Sequence, residues 1–318
     1  AALPIHAMDR ALQDLFRDHW TTRDGLPHNS INAIAQTPEG YLWLATWEGL
    51  VRYNGQSFTQ FDRRHIAALQ DGAIRALHVD ARGRLVAGGA RGSLVRQASE
   101  GRWDALASAP VMVTMIHGDA DGTLWVGTET AGAMKLTADG TAQVIRPDPD
   151  DPLGSNFDIV VDARGRHWSA HAGGLRRIEG DRLRRVDMSG LPDGPITALA
   201  MDGQRLIVGS ARGVHVANSS AETLAFEALT PALDDVSISR LLPDGAGGLW
   251  IGTLTDGLMR WTSNGLERLG VGPDRPSSRI LSLFIDREDN LWVGTNSGLY
   301  RFTDAPFSSV ARQHGLPD

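Results

Sequence analysis

The sequence predicts an all-β fold, a ring of seven sheets with four short strands in each. Three observations carry this. A Leu-Trp-x-Gly-Thr pattern recurs, its copies are evenly spaced, and turn residues separate short apolar runs within each copy. The clear copies are Leu42-Trp43-Leu44-Ala45-Thr46, Leu124-Trp125-Val126-Gly127-Thr128, Leu249-Trp250-Ile251-Gly252-Thr253 and Leu291-Trp292-Val293-Gly294-Thr295. Degenerate copies begin at Leu85, His167 and Leu206, so the tryptophan slot falls at 43, 86, 125, 168, 207, 250 and 292. Four-stranded units repeating every 40–45 residues are the mark of a β-propeller. The expectation is one seven-bladed β-propeller of four-stranded blades over residues 1–318.

Taken in order, Leu15-Phe16-Arg17-Asp18-His19-Trp20 stands before the first full repeat, where an outermost strand belongs. Residues 14–20 are therefore expected to complete the last blade and close the ring, removing two exposed sheet edges. A Gly25-Leu26-Pro27 connector leads into the first blade, whose outer hairpin turns at Asn54-Gly55, the strongest short hairpin signal. The last blade shows the inner strands best. The run Ile280 to Ile285 is a buried strand, Arg287 to Asn290 a turn, Leu291 to Thr295 a second strand and Leu299 to Phe302 a third. Another connector, Gln313-His314-Gly315-Leu316-Pro317-Asp318, announces a further repeat beyond this chain.

Repeated slots have structural explanations. Gly88, Gly127, Gly209, Gly252 and Gly294 in the second strand let a neighbouring sheet come close. The tryptophans fill the wedge between blades. Asp80, Asp119, Asp162, Asp202, Asp244 and Asp286 end the first strand and are expected to hold turns through side-chain-to-backbone bonds. Arg52, Arg96, Lys135, Arg177, Arg260 and Arg301 form a basic slot, read as partners for those carboxylates or as a solvated face.

Composition narrows the function. The chain is 42% apolar and 22% charged, as in globular proteins. Its net charge of −7, with no basic run, argues against nucleic acid. With no cysteine there is no disulfide scaffold and no thiolate site. No apolar stretch reaches the length of a membrane span. The chain opens Ala1-Ala2-Leu3-Pro4 without an initiator Met, which reads as a mature segment whose signal was removed. No nucleophile elbow, zinc motif or phosphate loop occurs. No catalytic residue, metal or cofactor is predicted, although Asp119-Ala120-Asp121-Gly122 could suggest a metal.

The residues Asp24-Gly25-Leu26-Pro27 and Gly40-Tyr41-Leu42-Trp43-Leu44-Ala45-Thr46-Trp47-Glu48-Gly49-Leu50 resemble the two-component-regulator propeller repeat. The resemblance is specific in the first, third, sixth and seventh repeats. It departs in the second and fifth, which lack Trp, and in the fourth, where His171 stands for the usual Thr. It implies the periplasmic sensor region of a bacterial transmembrane receptor, with a second propeller, a β-sandwich linker, one membrane helix and a cytoplasmic output domain. The opening Trp20 to Pro27 is most similar to members ending in a diguanylate cyclase (GGDEF) domain, which would make cyclic-di-GMP the output. Other members end in a histidine kinase.

Propeller ligands usually meet the mouth of the central channel, where loops converge. The loops between second and third strands supply Trp47, Glu48, Arg91, Glu129, Thr130, His171, Arg212, Thr255, Asp256, Asn296 and Ser297. The blade connectors supply Asn29, Asn156, Asp158, Asp193 and Arg279. The chosen ligand-binding set is Trp47, Glu48, Arg91, Glu129, His171, Arg212, Asp256, Asn296 and Arg279, facing an unknown small molecule or glycan fragment. His28 and His171 are read as ordinary exposed histidines. The other partners expected are further domains of the same parent chain and a second protomer in the full receptor. Two other functions fit the same fold: a lyase or hydrolase acting on a polysaccharide or small lactone, and a protein-interaction ring.

Overall fold

The computed structural model describes residues 8, 10–70, 72–99, 101–147, 154–269 and 279–304. The Gln313–Asp318 connector lies outside them. The described chain is an all-β propeller, with strands throughout and three single-turn 3-10 helices. Among the described residues there are five four-stranded sheets and one eight-stranded sheet. The eight-stranded sheet forms where Arg146 and Pro147 pair in parallel with Arg182 and Leu183, joining the outer strands of two neighbouring repeats. That pairing covers two edges that would otherwise face water.

Innermost in each repeat are the strands Ile31–Gln36, Ile74–Val79, Val113–Gly118, Asn156–Val161, Ile196–Asp202, Ile238–Pro243 and Ile280–Ile285. Each lies beside the next, and the last returns to the first, enclosing a central channel. The N-terminal strand Phe16–Trp20 pairs antiparallel with Leu299–Thr303, with Asp18 opposite Arg301 and Trp20 opposite Leu299. Trp20 stacks on Trp292 with ring centroids 5.5 Å apart.

Every inner strand carries a register shift after its first residue, between Ile31 and Ala33 in the first and between Ile280 and Ser282 in the last. A β-bulge of this kind leaves one residue unpaired and re-aims its neighbours. Here it allows adjacent sheets to be bonded side by side. Asn32 Nδ2 donates to the Ile74 carbonyl at 2.9 Å. Thr197 Oγ1 donates to the Ile238 carbonyl at 2.6 Å, and Ser282 Oγ to the Ile31 carbonyl at 3.0 Å.

The core lies between sheets. Trp43 packs with Ile74 and Leu85 of the following sheet, and Trp292 packs with Ile31 and Leu42 across the closure. The second-strand glycines admit this approach. A Cβ on Gly88 would lie 2.5 Å from Val113 Cγ1, inside contact distance.

The aspartate slot works as a turn anchor at Asp80, Asp162, Asp244 and Asp286, whereas Asp202 accepts from Arg205 Nη1. Asp162 Oδ1 accepts from the Arg164 and Arg166 amides at 2.9 and 3.0 Å, while Oδ2 accepts from Trp168 Nε1 at 3.0 Å. Asp286 does the same for its turn and for Trp292 Nε1, at 2.6 Å. Asp119 differs. It takes Trp125 Nε1 at 2.8 Å and faces His167 Nε2 at 3.0 Å, leaving its turn to Asp121, which accepts from the Thr123 amide. Among the described residues no His, Asp or Glu group is arranged to hold a metal ion.

The structure adds a contact to the basic slot. Lys135, Arg260 and Arg301 sit directly opposite the tryptophan of the same sheet and over its ring, at 5.3, 4.9 and 5.6 Å from the centroid. The pairs are cation–π contacts between cross-strand neighbours. A carboxylate partner from the turn is seen for Arg260, 3.4 Å from Asp244.

A candidate ligand site at the mouth of the channel

The loops after the second strands are held by a recurring hydroxyl. Thr46 Oγ1 donates to the Gly49 carbonyl at 2.8 Å and accepts from the Glu48 amide at 3.2 Å. Thr253 and Thr295 repeat the bond to Gly257 and Gly298 and accept from the Asp256 and Ser297 amides. Ser210 serves the same turn with Arg212. These short turns place Trp47, Glu48, Arg212, Asp256 and Asn296 outward, all exposed, as are Arg91, Glu129 and Arg279.

In the fourth repeat His171 stands where that hydroxyl residue would, in a slot that is buried in the other repeats as well. It is buried, with Nε2 2.8 Å from Ser169 Oγ and 3.4 Å from Asn156 Nδ2. His171 and Asn156 are thus removed from the mouth, because the last residue of the second strand and the first of the inner strand are both buried here. His28 is half-buried and its Nδ1 accepts from the Ser30 amide.

The structure brings part of the expected set together around a residue that sequence reasoning missed. Arg75 is the bulge residue of its inner strand. Its guanidinium lies over the Trp47 ring, 5.1 Å from the centroid, and its Nη1 donates to Asn32 Oδ1 at 3.0 Å. Burial lowers its pKa, repulsion from Arg240 and Arg279 lowers it further, and Glu129 opposes the shift. Trp47 therefore packs on Arg75, and the charges of Glu129 and Arg279 act on it. Arg212 turns instead to Asp235, at 3.4 Å, and Asp256 accepts from Thr255 Oγ1 at 2.7 Å.

The inner strands line an open cavity of about 240 Å³ whose wall includes the polar Asn32, Arg75, Thr114, Asp158, Arg240 and Ser282 and the apolar Leu77, Ile116 and Phe157. Asp158, expected on a connector, lies in this wall instead, within the strand Asn156–Val161. Burial pushes its carboxyl up to about 6, opposed by the Leu199 and Ile159 amides and by Arg240. Burial likewise lowers the pKa of Arg240, with Asp158 opposing. Two guanidinium groups and one carboxyl line the same open cavity. Such a space can fix an anion or a polar ligand by charge and hydrogen bonds.

A different group lies farther along the sheets. His78 and His117, near the ends of two inner strands, and His167, at the start of a second strand, form a row with ring centroids 6.2 and 6.4 Å apart. Burial holds His78 down to about 4, with His117 adding to the shift and Asp80 and Asp119 opposing it.

The model of the two component regulator propeller family matches residues 25–48 and 274–297. No curated protein matches the chain. The fold is similar to the extracellular domain of a hybrid two component system from B. thetaiotaomicron, with a TM-score of 0.74 and 20% identity over 92% of this chain and 42% of that one. A second such domain from the same organism gives 0.73 and 19% over 91% of this chain and 39% of that one. The chain thus spans less than half of those structures. It is also similar to virginiamycin B lyase from Staphylococcus aureus, with a TM-score of 0.71 and 15% identity over 91% of this chain and 99% of that one.

Proposed function

We propose that this chain is the extracytoplasmic ligand-sensing propeller of a transmembrane signalling protein, a ring of seven four-stranded blades facing the periplasm. Its cytoplasmic output would be a GGDEF domain making cyclic-di-GMP, in a parent that also carries a second propeller and pairs with another protomer. The observation that carries this reading is the match to the two component regulator propeller at both the first and the last repeat, residues 25–48 and 274–297. The likeness to extracellular domains of two component systems supports the same side of the membrane. A ligand at the mouth would contact several inner strands at once and shift how the ring packs against its neighbours. The test is cyclic-di-GMP output from the full-length parent with and without residues 1–318. Output indifferent to the deletion, under conditions that otherwise change it, rejects the reading.

A lyase is the second reading, favoured by the likeness to virginiamycin B lyase over nearly the whole of both chains. The two part on turnover: a sensor returns its bound molecule unchanged, and a lyase does not.

A further inference from the structure

We propose that the central channel binds a small hydroxylated carboxylate, its anionic group held between Arg75 and Arg240. This names the ligand class of the mouth and rests on the sensing reading. Both guanidinium groups line the same cavity. Among the described residues, neither has a carboxylate within ion-pair distance. Arg75 spends one nitrogen on Asn32, and Arg240 Nη1 donates to the Ser239 carbonyl at 2.6 Å. Arg75 Nε is buried with no partner. Two like charges withdrawn from water disfavour each other, and an anion between them reverses that cost. The guanidinium fork matches a carboxylate in two parallel bonds.

Charge and size narrow the class. With Asp158 ionised, the two arginines and the carboxyl leave one net positive charge in the wall, which suits a monoanion better than a phosphate dianion. The remaining wall groups take hydroxyls. Asp158 accepts them, and Thr114 Oγ1 is buried with no partner. The cavity of about 240 Å³ holds on the order of eight waters at roughly 30 Å³ each, room for a six-carbon sugar acid.

The experiment is calorimetric titration and thermal melting of the whole 318-residue chain with D-gluconate, D-glucose and inorganic phosphate at constant ionic strength. Gluconate is expected to bind and raise the melting temperature, with glucose and phosphate at least about tenfold weaker. Arg75→Gln and Arg240→Met are each expected to weaken gluconate by about tenfold or more. Arg240→Met should melt no lower than the parent without ligand, which separates lost binding from lost folding. Arg164→Gln, on an exposed turn, keeps the affinity. Equal binding of glucose, preference for phosphate, absent binding, or gluconate affinity unchanged in both channel variants overturns the proposal. That failure leaves the sensing reading standing. Gluconate binding that never alters the parent's output rejects sensing and leaves the site.

Discussion

Ser282 Oγ donates to the main-chain oxygen of Ile31 at 3.0 Å, across 251 positions of sequence. The bond ties the last inner strand to the first at the level of the bulge. Gly294 makes room for it: a Cβ there would lie 2.2 Å from Ser282 Oγ and 2.6 Å from the Ile31 oxygen. Gly294→Ala is therefore expected to force the two sheets apart and cost about 1–3 kcal/mol, as overpacking does elsewhere. Urea denaturation of the two proteins checks this; equal midpoints would show the seam to be loose.

Removal of residues 1–20 takes away the partner of Leu299–Thr303. It also removes the Trp20 face of Trp292 and the Asp18 carboxylate bonded by Arg301 at 2.6–2.9 Å. The ion pair is exposed and worth little alone, so the loss is chiefly strand pairing and aromatic burial. A sharply lower melting temperature is expected, with concentration-dependent association through the bared edge. Light scattering and a melt report both.

Asp162→Ala should be among the costlier single changes. The side chain is fully buried and anchors the turn amides, Arg166 Nε at 2.8 Å and Trp168 Nε1. Its removal leaves the indole N–H without its acceptor and frees the turn, a loss of about 3–5 kcal/mol. Asp162→Asn keeps one acceptor oxygen and should recover part of it.

Acid should weaken the ring through His78. Its folded pKa of about 4 lies below the ordinary 6.5. The unfolded chain thus binds the proton first, and stability falls as pH drops from about 6.5 toward 4. His117 and His215, also lowered by burial, act in the same direction. His78→Gln is expected to flatten melting temperature against pH over that interval. An unaltered profile would assign the acid loss elsewhere.

Asp158 works against this trend. Its folded pKa of about 6 exceeds the ordinary 3.8. The native state holds the proton between those values, so this group's penalty grows as pH rises toward 6 and is constant above it. Asp158→Asn is expected to raise the melting temperature at pH 7.5 and to lose that advantage well below pH 6. Paired melts at the two pH values check it.

The propeller is legible because inter-sheet packing asks the same thing of every repeat. A tryptophan, a glycine and a turn aspartate must recur where sheets meet, so Trp43 or Asp286 can be read from spacing alone. The mouth is less legible. Arg75 and Arg240 lie on the inner strands near the bulges, where strict alternation breaks and a period-two reading assigns no face. The available signal was the residue after the leading isoleucine or valine, which changes from Asn32 to Arg75 to Thr114 around the ring. His171 misled because it reads as a loop residue, whereas it ends the strand His167–His171 in a slot that is buried in the other repeats as well. In the basic slot spacing shows the charge, not the indole facing it across the ladder.

Arg10 and Asp304, near the two limits of the described chain, form an ion pair at 2.9 Å. Entry and exit thus share the sheet in which Phe16–Trp20 lies against Leu299–Thr303. A tug on the polypeptide following Asp304 would reach that pair of strands before any other part of the circle. Such a pull would strain the pairing of Phe16–Trp20 with Leu299–Thr303, and with it the contact between the first repeat and the last.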